Sequence, residues 1–123
     1  MAPPAMENVI QVKSYAFAIR IIKLYKFLST EKREFILSKQ VLRSGTSIGA
    51  LVMEAEHAQS KSDFLNKMNV ALKESNETKY WLMLIKDTDY LSVNEFESLQ
   101  KDSDEILKLL TSIVKSTKIA LGK

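Results

Sequence analysis

Between residues 11 and 28 apolar side chains fall in two rows at helical spacing, one through Val12, Tyr15, Ala16, Ile19 and Ile22, the other through Phe17, Ile21, Leu24 and Leu28. Two rows are wider than one core face needs, so this helix is expected to bury one side in its own fold and offer the other to a neighbour. A polar break, Ser29-Thr30-Glu31-Lys32, ends it. A second helix is expected over about residues 34–59, with Leu37, Val41, Ile48, Val52 and Ala55 in register. Ser60-Lys61-Ser62-Asp63 follows, with Ser60 or Ser62 as the N-cap. From about residue 63 to residue 86, Phe64, Met68, Ala71, Ser75, Thr78, Leu82 and Ile85 alternate spacings of four and three, the seam of a packed bundle helix. A last helix begins after Ser92, with Glu95 three residues on as in a capping box, and carries Phe96, Leu99, Ser103, Ile106, Leu110, Ile113 and Thr117.

Short connections between long helices make neighbours antiparallel. The expected architecture is therefore all-α, an up-down-up-down four-helix bundle in a single domain over residues 6–123. Residues 1–5, with both prolines, read as an appended or disordered remnant ahead of a native start at Met6.

Glycine in a helix interior costs on the order of 1 kcal/mol relative to alanine, yet Gly45 and Gly49 lie inside the second helix. A phosphate-binding loop is excluded, because that motif needs a lysine after its second glycine and a strand before its first. With Ser44, Ser47 and Ala50 the two glycines instead form a run of small residues across which another backbone can approach, within the chain or between chains. Thr46 or Ser47 can bond back to a carbonyl and bend the helix.

With 46% hydrophobic and 27% charged residues, the 123-residue chain has the composition of a globular domain. No apolar run is long enough to span a bilayer and no secretory signal opens the chain, so no membrane partner and a cytoplasmic location are expected. The absence of cysteine excludes disulfides, thiolate nucleophiles and cysteine metal sites. Net charge is only +3, but up to Met53 eight basic residues face three acidic ones, and the remainder of the chain is slightly acidic. That asymmetry makes Arg20, Lys23, Lys26, Lys32, Arg33, Lys39 and Arg43 candidate contacts to RNA or DNA. Lys101 with Glu105 and Asp104 with Lys108 are expected as ion pairs along one exposed helix face.

Catalytic chemistry finds little footing. Glu54-x-x-His57 has the spacing of di-iron bundle ligands, but that site needs a second such pair and two further glutamates, and His57 is the chain's single histidine. Glu74 and Glu77 offer carboxylates at the same spacing, which a solvated helix face also explains. Ser47 or Ser62 with His57 and a carboxylate is a set of residue types without a nucleophile-elbow sequence. Tyr80, Trp81 and Tyr90 are expected as core or interface anchors. The chain is thus read as non-enzymatic and without cofactor or metal, with Phe17, Ile21, Leu24, Gly45 and Gly49 as candidates for oligomer contact or close helix packing.

Gln40-x-x-Arg43-Ser44-Gly45-Thr46-Ser47-Ile48-Gly49-Ala50, then Glu54-Ala55-Glu56, then Asp63-Phe64-x-x-Lys67-Met68-x-x-Ala71-Leu72-Lys73-Glu74-Ser75-x-Glu77-Thr78, form a combined pattern. It resembles the bacterial four-helix-bundle family that includes proteins encoded in intervening sequences of 23S ribosomal RNA genes, often labelled S23 ribosomal proteins. The resemblance spans about residues 6–118. It implies a left-handed antiparallel bundle that often assembles into a homopentameric ring. It also points to relatives among retroelement accessory proteins, which bind nucleic acid and a protein partner, a reverse transcriptase. Leu51 and Met53 depart from it: the family usually has asparagine at the first and a polar or basic residue at the second. Two apolar side chains beside the small-residue run join the candidates for oligomer contact or close packing.

Overall fold

The computed structural model describes residues 8–123, and the expectation for residues 1–5 lies outside them. Four helices form, α1 over Val9–Thr30, α2 over Leu37–Glu56, α3 over Lys61–Asp87 and α4 over Val93–Ala120. Local chemistry sets their starts. Asn8 accepts the Gln11 N–H at 2.9 Å and Ser60 the Asp63 N–H at 3.0 Å, each satisfying a donor that has no partner within its helix. At α4, Ser92 Oγ accepts the Glu95 N–H at 3.2 Å and donates to Glu95 Oε1 at 3.1 Å. The capping box is therefore closed through the hydroxyl rather than through the Ser92 N–H.

The second helix starts three residues later than its pattern suggested. Arg33 adopts a left-handed conformation (φ 55°), which stops helical propagation, and the Glu34 N–H turns back to Leu28 O at 2.9 Å. Glu34 then caps α2 from outside. Its carboxylate accepts the N–H groups of Ile36 at 3.1 Å, Leu37 at 3.0 Å and Ser38 at 2.8 Å. Burial pushes the Glu34 carboxyl up, but these N–H groups and the Ser38 side chain outweigh it and hold the group below its ordinary value. A carboxyl lowered in the folded state adds stability that is complete above the ordinary carboxylate range and fades as pH falls through the lowered value. Glu34→Ala should thus cost roughly 0.5–2 kcal/mol at neutral pH. Urea unfolding of both proteins should show that gap narrowing in acid, and equal stabilities at neutral pH would refute the capping role.

Each helix packs on its chain neighbours and α4 returns to α1, while among the described residues the backbones of the diagonal pairs do not approach closely. The α1–α4 seam is the thinnest. Cross-links confirm antiparallel order: the Gln11 amide donates to Glu56 at 2.9 Å, Arg20 pairs with Asp102 at 2.6 Å and Lys79 with Asp104 at 3.1 Å. The core is centred on Phe17, Ile21, Leu28, Ile48, Leu82, Ile85, Ile106 and Leu110, all essentially inaccessible. Leu65 and Val114 are buried, with their neighbours Phe64 and Ile113 packed at the margin.

The glycines lie where α2 meets α1. A Cβ on Gly45 would fall 2.8 and 2.9 Å from the γ carbons of Ile21, whereas one on Gly49 would meet Ser14 O at 3.4 Å. Close helix packing within the chain is what Gly45 permits. Thr46 Oγ1 and Ser47 Oγ bond back to the carbonyls of Leu42 at 2.7 Å and Arg43 at 2.6 Å, which satisfies two hydroxyls that would otherwise compete with the helix.

Candidate functional site

The two apolar rows of α1 part company in the fold. Phe17, Ile21 and Leu24 turn inward with Ile10 and Leu28, so their role is packing within the chain, and no neighbour can reach them. The opposite row faces out: Val12 is 50% exposed, Ile19 41% and Ile22 39%, with Val9 beyond them. Met53, on α2, is also exposed, whereas Leu51 is half-buried against the core. Isolated exposed apolar residues are ordinary on protein surfaces, whereas here Val9, Val12, Ile19 and Ile22 are all exposed on one helix.

The basic residues also divide. Arg20 donates to Asp102, to Ser98 O at 3.2 Å and to Ser98 Oγ at 2.9 Å, closing the α1–α4 seam together with the Lys13–Glu105 pair. Arg43 reaches across to α3, where it meets Glu74 at 3.1 Å and Glu77, and Trp81 Nε1 donates to the same Glu77 at 3.1 Å. Both arginines are thus engaged in the fold. Lys23, Lys26, Lys32, Arg33 and Lys39 are exposed and make no ion pair among the described residues. The stripe expected along two helices contracts to the end of the bundle at the α1–α2 turn, where Lys32 lies over the Phe27 ring and Arg33 over the Phe35 ring, both at 5.8 Å.

The ion pairs expected along α4 are not formed. Glu105 is taken by Lys13 of α1 and Asp104 by Lys79 of α3, because interhelical partners lie closer than the lysines one turn away. Glu74 and Glu77 hold Arg43 rather than facing solvent alone, and Glu54 and His57 are exposed at the end of α2. Among the described residues no three histidine, cysteine or acidic side chains converge as a metal site, and no helix is long and apolar enough to cross a membrane. Trp81 is half-buried, with Tyr80 exposed beside it in an edge-to-face contact at 5.2 Å, and Tyr90 is half-buried in the α3–α4 turn.

Sequence reading missed the α1–α2 turn, where Phe35 and Ile36 stand exposed. The helix-period pattern absorbed them into α2. The signal that could have excluded them is Glu34, an acidic residue positioned to cap the three N–H groups after it.

A family model described as 23S rRNA-intervening sequence protein matches residues 6–112. Among solved structures, the chain is similar to a protein of unknown function from the S23 ribosomal protein family of Bacteroides thetaiotaomicron. They share 59% sequence identity over 87% of this chain and 99% of that one, with a TM-score of 0.86. No curated protein matches.

Proposed function

We propose, from the premise that the chain belongs to the family of 23S rRNA-intervening sequence proteins, that it is a self-assembling, non-enzymatic scaffold whose copies meet through the outward face of α1. Neither the family nor the solved relative carries an assigned catalytic activity. One observation carries the proposal: Val12, Ile19 and Ile22 form an apolar row on the side of α1 directed away from the core, a position from which burial against another chain gives about 25 cal/mol per Å² of apolar surface. Met53 is a further exposed apolar residue, on α2. The homopentamer that the resemblance implies needs such a face. Sedimentation of the protein at micromolar concentration is expected to give a multiple of the chain mass, and a monomer would end the proposal.

A second reading is favoured by the five unpaired cations at the α1–α2 end: accessory binding of RNA or DNA. Phosphate neutralisation would supply the affinity, and binding should fall steeply as salt rises. Reversing Lys32 and Lys26 to glutamate is expected to abolish fluorescence-anisotropy binding without changing the melting temperature. Reversing Arg20 should instead lower the melting temperature, since its partners are Asp102 and Ser98. No binding by the unaltered protein at low salt would remove this reading.

A further inference from the structure

Neither the α1 face nor phosphate binding accounts for the apolar side chains exposed at one end of the bundle. There the α1–α2 turn presents Phe35 and Ile36, 47% and 76% exposed. The turn is fixed from both sides, by the Glu34 N–H on Leu28 O and by the Glu34 carboxylate across three N–H groups. Arg33 lies over the Phe35 ring, and Lys32 and Lys39, exposed before and after it in the chain, form no ion pair among the described residues. The result is a rigid apolar tip in a collar of cations. At the same end the α3–α4 turn forms a groove of about 610 Å³ that combines half-buried Tyr90 and exposed Val93, above the buried Leu91, with the carboxylates of Asp87, Asp89 and Glu95. Asp87 is met by Lys86 at 3.2 Å and Glu95 by Ser92, and Lys32 also borders the groove.

We propose that the tip of one chain enters this groove on a second copy across a twofold axis at this end, each copy giving its tip and receiving its partner's. The chain carries both halves of a complementary pair, apolar against apolar and cations against carboxylates, on one face, yet its own tip is left in solvent. Nucleic acid would satisfy the cations but offers nothing to an aliphatic side chain such as Ile36, and an anionic bilayer would be repelled by the groove's carboxylates. A second copy answers both. A twofold contact of this kind closes on itself and does not propagate into fibres. It uses no residue of the α1 face and therefore stacks two assemblies end to end, whatever their size.

The chain has no cysteine, so the contact can be trapped. Ile36→Cys and Val93→Cys proteins, one carrying a size tag, are mixed and oxidised. A heterodisulfide in several-fold excess over either homodisulfide is expected. Ile36→Asp should halve the mass read by light scattering at low salt while circular dichroism shows unchanged helix content, because Ile36 is exposed within its own chain. Ile19→Asp, which strikes the α1 face, should leave the heterodisulfide intact, so that the two readings fail separately. Absence of the heterodisulfide with an Ile36→Asp mass equal to that of the unaltered protein would overturn the proposal, as would retention of the unaltered protein on anionic vesicles through Ile36.

Discussion

Replacing Gly45 with valine is expected to destabilise the protein by about 2–3 kcal/mol, the upper part of the range for overpacked cores. The added Cβ falls within 2.9 Å of both Ile21 γ carbons, and Ile21 is fully buried and β-branched, with little rotamer freedom for escape. The melting temperature should drop by roughly 10 °C, given about 3–6 °C per kcal/mol for a chain of this size. Ile21→Ala removes the clashing atoms. Alone it should cost about 2–5 kcal/mol, but combined with Gly45→Val it should cost less than the sum, a coupling read from a double-mutant cycle. Gly49→Ala makes the contrast. Its Cβ meets Ser14 O at contact distance, so the gain in helix propensity, up to about 1 kcal/mol, should appear as a raised melting temperature. Equal effects at the two glycines would contradict the packing account.

The second large effect concerns assembly. Ile19→Asp with Ile22→Asp places two charges on the outward row of α1 and is expected to give a monomer at micromolar concentration. Each isoleucine buried in a contact contributes about 1.5–3 kcal/mol, so losing both weakens association by about a hundredfold to ten-thousandfold. The isolated chain should stay folded, its melting temperature falling only by what assembly had contributed and losing its dependence on protein concentration. Light scattering and thermal melting of one sample separate the two readouts. An unaltered mass would show that the chains meet elsewhere.

The helices were legible because their seams are long and regular: Met68, Ala71, Ser75, Thr78, Leu82 and Ile85 are all buried as their spacing implied. Margins were less legible. Periodicity put Phe64 and Ile113 in the seams where the fold buries Leu65 and Val114, since adjacent apolar residues satisfy the same stripe and the tilt of the helix decides. Nor could it assign the two rows of α1, because both fit a helix and only the partners show which one is inside. Charge was the least legible. Composition counted Arg20 and Arg43 as free cations, whereas the antiparallel register brings Asp102 and Glu74 to them. The acidic partners are more than thirty residues distant in sequence, beyond the reach of any local pattern.

Three thick seams of the bundle join helices that are consecutive in the chain, and the thin one joins the first helix to the last. Nearly all of the topology can therefore form by hairpins between sequence neighbours, a low-contact-order route that places folding in the roughly microsecond-to-millisecond range. The one long loop closure, α1 against α4, is expected to come last, because its entropy cost is repaid by the thinnest seam. Read in reverse, that seam, held at its surface by Lys13–Glu105 and Arg20–Asp102, is where the molecule first comes apart, and its amide protons should exchange through partial openings long before those of the α2–α3 hairpin.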